Sequence, residues 1–287
     1  MTAPDSQETT ERPEKEWRFT ILHAFALSVV FLILQGVIIL VIRQTTGLKI
    51  EELRWFHLSI ISAISGSIVL GGGAYLNGFS VHDMLMDHLP DAGQILSTVV
   101  AVLGLVILSS ELNNILLKYF PLNMGDQAEL IQRLIKEDLI GVIITIAVVA
   151  PIIEELLFRG VILDGLRMHY RLSTAVVASS ILFGLVHLSP IVSIQTCILA
   201  LFLAWLRVST GSLMLCVISH SVFNATPFIL MRISDAQIQG FTTVPTAVVQ
   251  FQPLWLDVLG LFLLLAGIAG LKFAGDEQEE QQEVHQN

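Results

Sequence analysis

Charge is what this chain has least of. Asp, Glu, Lys and Arg make up 14% of its 287 residues, against about 25% in ordinary soluble domains, which excludes the usual charged surface of a water-soluble enzyme. Basic clusters are missing too: the net charge is −10, and no nucleic-acid partner is expected of so acidic a balance. Cysteine is nearly absent. Cys197 and Cys216 both fall in apolar segments and read as small core residues that say nothing of redox compartment. The Gly71–Gly73 run lacks the following Lys-Ser/Thr of a phosphate loop, and no H-E-x-x-H occurs anywhere. A cleavable signal peptide is not expected, because an acidic stretch precedes the first apolar block and no small-residue cleavage site follows it. Repeats and long linkers are lacking as well, so one integral domain is the simplest organisation.

What is present is apolar. Hydrophobic residues reach 54% and mean hydropathy is +0.74, gathered into blocks of about 20 residues, the length a helix needs to cross hydrocarbon. A soluble bundle would show amphipathic stripes instead. The expected fold class is therefore all-α: a polytopic transmembrane helical bundle of about eight spans, a multi-pass protein of the cell membrane. The spans are read at 19–42, 57–76, 95–117, 139–163, 174–188, 190–208, 212–230 and 253–273. The fifth is short, and Pro190 follows it so closely that the fifth and sixth should form a tight or re-entrant hairpin. Polar tails are expected at 1–18 and 274–287 around an integral domain at 19–273, with its motif core at 139–230. The Lys/Arg balance of the loops ties at seven on each side, with Arg207 counted as a loop charge beside Arg167 and Arg171. Only the compact basic loop "RMHYR" favours a cytoplasmic N-terminus.

Against this background a few polar side chains stand out. Glu154, Glu155 and Arg159 lie in the fourth span, His187 ends the fifth in "ILFGLVHLSP", and His220 and Asn224 share the seventh in "CVISHSVFNATP". A charge at the bilayer centre costs about 2.5–3.5 kcal/mol or more, so such groups face a bundle interior or a wet cavity. Glu155 and Arg159 are four apart and can pair on one face, which turns Glu154 about 100° away without that partner. His220 and Asn224 repeat the spacing, as do Phe183 and His187. Pro151 removes a backbone hydrogen bond just before the carboxylates, so a local bend is expected there.

Singly, these residues have ordinary readings: an interfacial histidine, a structural ion pair, an amide bonded between helices. Six of them on three spans point to a site. Glu111, Asn113 and Asn114, near the end of the third span, read as structural. The run "VHDMLMDH" offers His82, Asp83, Asp87 and His88, but with loose spacing in a loop it reads as a solvated turn and not a metal cage. The glycine run reads as a close helix contact.

A carboxylate and an imidazole facing one cavity can deprotonate and orient water, while a second histidine with an amide supplies donors to an oxyanion. The motifs themselves resemble a known family. "EELLFRG", "FGLVH" and "HSVFN" are similar to the EExxxR, FxxxH and HxxxN motifs of the CPBP family. These are intramembrane glutamic endopeptidases, also called the CAAX amino-terminal protease or Abi family and related to the CAAX prenyl proteases. "STGSLMLCVISH" resembles the run that leads into the last motif. Met214 stands where many members have tryptophan, and Ala200 and Ala204 where glycines are common. The resemblance spans Ile152 to Ala225. It implies a protease in which Glu154 and His187 activate water, His220 and Asn224 form the oxyanion site, and Glu155, Arg159 and Phe183 support them. It implies no cofactor, and as partners membrane lipid and a peptide or protein substrate that can be lipidated. Two alternatives remain open at this level: a zinc-dependent protease using the same His and Glu residues, and a non-catalytic immunity, scaffold or transport protein of the same fold.

Overall fold

The computed structural model describes residues 19–78, 80–86, 88–120, 139–233, 237–243 and 249–286; the expected N-terminal tail and Asp87 lie outside them. Helices dominate, and no strand occurs among the described residues. In chain order they are α1 (Ile21–Thr46), α2 (Trp55–Asn77), the short α3 (Val81–Met86), α4 (Ala92–Tyr119), α5 (Leu139–Arg167), α6 (Leu172–Leu185), α7 (Pro190–Thr210), α8 (Leu213–Ile233) and α9 (Leu254–Gln286). Their large exposed side chains are apolar, as Leu22, Phe25 and Ile33 on α1 and Leu261, Phe262 and Leu265 on α9 show, which suits a lipid-facing belt.

Seven of these helices are long and apolar enough to cross a membrane. The eighth apolar segment, α6, has only 14 residues, about 21 Å at 1.5 Å per residue, against a hydrocarbon thickness of about 30 Å. The helix within the expected span 174–188 is therefore shorter than the hydrocarbon thickness. It ends at Leu185, turns through Leu188 at a left-handed φ of 57°, and re-enters as α7 with Pro190 at its first position. Proline is pre-set for a helix start and pushes the residue before it into extended backbone; Ser189 is extended. The expected tight hairpin is thus present, and it places His187 in the turn instead of on the helix.

The fourth span absorbs Pro151 by widening. Turns of π-helix at Ile144–Val149 and Leu156–Leu163 flank a regular segment, Ala150–Glu155, with the proline in its first turn. Without an N–H, proline cannot hold the carbonyl one turn back, and π-turns are a common way for a helix to take up such a defect. The widened part is tied laterally. Thr145 Oγ1 bonds the Trp55 carbonyl at 3.0 Å and the Ser59 hydroxyl at 2.7 Å, and a side chain at Gly141 would collide with the Trp55 ring.

Two further features went unread in the sequence. The first is the α4–α9 seam. A Cβ on Gly104 would meet the backbone of Gly260 and Leu264, and one on Gly267 would meet that of Ser97 and Ala101, so two main chains touch where only glycine fits. The second is an ion pair between α5 and α7. Arg207 Nη2 lies 2.7 Å from Asp164 Oδ2, Arg167 adds a bond to the other carboxylate oxygen at 3.1 Å, and Arg207 also donates to the Gly211 carbonyl. Arg207 is thereby buried. It is no free loop charge, and counting it as one in the orientation balance was a misreading.

Other expectations resolve individually. The run at 81–86 is a short helix that buries Met84 against Gly160, with His82 and Asp83 exposed and 3.3 Å apart. Of the glycine run, Gly73 closes on Leu27 and Val161, while Gly71 and Gly72 touch nothing. Glu111 and Asn114 are structural: Glu111 accepts from Asn114 at 3.0 Å and from the Gln252 backbone at 2.9 Å. Beyond residue 273 the chain continues as helix to Gln286.

The seam makes a test. Gly267→Leu must push two backbones apart, and overpacking of this kind costs about 1–3 kcal/mol. Its thermal midpoint in detergent is expected to fall by several degrees, whereas Gly71→Leu, which meets open space, should leave it unchanged.

Candidate active site

Glu155 sits at the centre. Its carboxylate is wholly buried on α5, and one oxygen, Oε1, accepts two bonds: from Arg159 Nη1 at 2.9 Å and from His220 Nδ1 at 2.8 Å. The first is the local pair that helical spacing predicts. The second reaches 65 positions along the chain to α8. Arg159, 2% exposed, spends its other nitrogen on the Ala200 carbonyl of α7 at 3.3 Å, and its guanidinium lies 4.5 Å from the centre of the Phe183 ring on α6. One arginine therefore joins α5, α6 and α7, and one glutamate joins it to α8. The other oxygen, Glu155 Oε2, is buried without a partner among the described residues.

His220 stands between the two glutamates. Because an ionised Glu155 only accepts, Nδ1 carries the proton of that bond, which leaves Nε2 directed at Glu154, 3.8 Å from its Oε2. At that distance the two atoms are neighbours and not hydrogen-bonded. Glu154 is less enclosed than Glu155, with 17% of its side chain exposed against none. The two adjacent carboxylates thus differ: one is locked into the bundle, the other is partly exposed.

His187 is oriented by its own turn. Nδ1 lies 2.9 Å from the Phe183 carbonyl oxygen. A carbonyl can only accept, so the proton is on Nδ1 and Nε2 presents a lone pair. Left-handed backbone is uncommon for a residue such as leucine and is often found beside functional groups; here it is Leu188, next to this imidazole. Phe183 is the shared wall, its ring 5.2 Å from the His187 ring, 5.6 Å from that of His220 and 5.0 Å from that of Phe158. The two histidines therefore gather around one phenylalanine.

Asn224 lies one turn beyond His220 on α8. Its Nδ2 donates to the Ile146 carbonyl at 2.8 Å, inside the widened turns of α5, so one N–H is spent on positioning and the second remains. Sequence reasoning placed Asn224 beside His220 but did not foresee Ile146. Only the π-turns, which no residue spacing announces, aim that carbonyl at α8.

The buried pair should behave as a unit. Removing one member of a buried ion pair typically costs about 3–5 kcal/mol, because the other charge is stranded, whereas apolar replacement of both can be nearly neutral. Arg159→Met should lower the thermal midpoint sharply. The double variant Glu155→Leu/Arg159→Met should regain more than half of that loss, and a midpoint no higher than that of the single variant would refute the pairing.

No curated protein and no solved structure matches the chain. A family model does: residues 136–226 match the family described as type II CAAX prenyl endopeptidase Rce1-like. That segment, about a third of the chain, runs through α5, α6, α7 and most of α8, and so contains every residue of the cluster. Residues 136–226 are thus similar to the Rce1-like, type II CAAX prenyl endopeptidase family, the likeness that the three sequence motifs also carry.

Proposed function

We propose that the protein is a metal-independent intramembrane endopeptidase of the cell membrane that hydrolyses a peptide bond in a lipidated, membrane-associated peptide or protein. The family match implies CAAX-type intramembrane endopeptidase activity. The observation that carries the mechanism is His220 held between a buried Glu155 and a more open Glu154.

In this reading Glu154 and the Nε2 lone pair of His187 bind and polarise a water molecule. As the water oxygen bonds to the scissile carbonyl carbon, its proton passes to Glu154 and the carbonyl π electrons move onto oxygen. Two donors serve that oxyanion: Nε2–H of protonated His220 and the remaining N–H of Asn224. A protonated His220 also balances the local charge, since two carboxylates then meet one guanidinium and one imidazolium. Collapse of the tetrahedral intermediate breaks the C–N bond, and Glu154 returns its proton to the leaving amine. Glu155 and Arg159 touch no reacting atom; they fix the ring of His220.

A zinc-dependent version would need His187, His220 and a glutamate as ligands. Among the described residues no group of three His, Cys, Asp or Glu side chains is arranged to hold a metal, which supports the metal-free reading.

Two measurements test the proposal with the full chain in lipid nanodiscs and a quenched fluorogenic peptide carrying a farnesylated cysteine. Glu154→Gln should lower kcat by at least about 10²-fold, as expected for loss of a general base, with thermal midpoint retained and turnover by the intact enzyme insensitive to chelators. Full activity in that variant would overturn the assignment. Asn224→Ala should cost about 10²–10³-fold in kcat, the range for one oxyanion donor, with KM little changed. A rise in KM at constant kcat would instead make Asn224 a binding residue.

A further inference from the structure

A cavity of about 190 Å³ lies between α4, α7 and α8 and is bordered by the 240–243 turn. It adjoins the cluster on α8, where Phe223 and Pro227 of its wall bracket Asn224. The wall is built in two halves. Phe223, Pro227 and Leu230 make an apolar side; Ser109, Asn113 and Gln195 make a polar one.

Much of the polarity around this cavity is already spent on holding it open. Asn114 Nδ2 and Ser110 Oγ bond the Gly240 carbonyl at 2.7 and 3.3 Å, and Gln195 Nε2 donates to the Ser109 carbonyl at 3.1 Å. Unused among the described residues are the Asn113 amide, Gln195 Oε1 and the Ser109 hydroxyl, which together offer both donors and acceptors. All three side chains are half-buried, so they can bond a polar ligand that enters the cavity. No Lys, Arg or His is among the described lining residues, so the ligand is not recognised by a negative charge such as a free carboxylate or a lipid phosphate. Alternating donors and acceptors opposite an apolar wall are what an extended peptide main chain with an uncharged side chain requires.

We propose that this cavity is a peptide subsite: Asn113, Gln195 and Ser109 hydrogen-bond the substrate main chain, and Phe223, Pro227 and Leu230 receive an uncharged side chain. The inference rests on the endopeptidase reading and adds how the substrate is held. Phe223 and Pro227 flank Asn224 on α8, so the bound side chain lies close to the scissile bond.

The test uses full-length protein in nanodiscs and the same farnesylated peptide in two arms. In the first, Asn113→Leu and Gln195→Leu are combined singly with Glu154→Gln, and peptide binding is read by fluorescence anisotropy. About tenfold weaker Kd than Glu154→Gln alone is expected; Kd within twofold for both overturns the subsite. In the second, Asn113→Leu in the active enzyme should raise KM about tenfold with kcat within threefold; loss of kcat at unchanged KM overturns it. If Asn113→Leu does not fold, Asn113→Ser is read in the same way. A wild-type enzyme that fails to turn over the peptide counts against the endopeptidase reading, while the anisotropy arm still decides the subsite.

Discussion

A single buried carboxylate oxygen organises this protein. Glu155 Oε1 takes one proton from its own helix and one from α8, and Arg159, fixed by that bond, reaches on to α6 and α7. Burying three ionisable groups would be prohibitive if any were left unpaired. The same cost favours this arrangement, which satisfies the guanidinium and the imidazole together. The bundle does not tolerate the charges; it is registered by them.

The backbone departs from regular helix in the regions where the cluster is assembled. Widened turns on either side of Pro151 direct the Ile146 carbonyl at Asn224, and a left-handed Leu188 ends α6 early and turns His187 back along it. Regular α-helices would have offered side chains but no spare carbonyl, and a longer α6 would have kept His187 on the helix instead of in the turn. Such irregular backbone is tolerated at membrane depth where protein surrounds it.

Away from the cluster, the structure supplies rigidity. Glycines let α4 and α9 touch along their main chains, while Asp164, immediately after the second widened segment of α5, and Arg207 fasten α5 to α7. Between these fixed parts, α4, α7 and α8 leave a space lined half by amides and hydroxyls and half by apolar groups.

The sequence by itself determined whatever depends on composition and short spacing. Blocks of apolar residues made the bundle, the four-residue spacing made the Glu155–Arg159 pair and set Glu154 apart, and Pro190 so close behind the fifth segment made the hairpin. Tertiary structure decided the rest: that His220 bonds Glu155, that Asn224 bonds Ile146, that Arg207 is buried on Asp164, and that α4 and α9 meet through glycine. The division has a physical cause. Helical periodicity fixes which side chains share a face, but in a lipid-like environment every apolar face is equally acceptable. Which faces meet is then chosen by polar groups that must find partners far along the chain, and by small residues that let backbones approach.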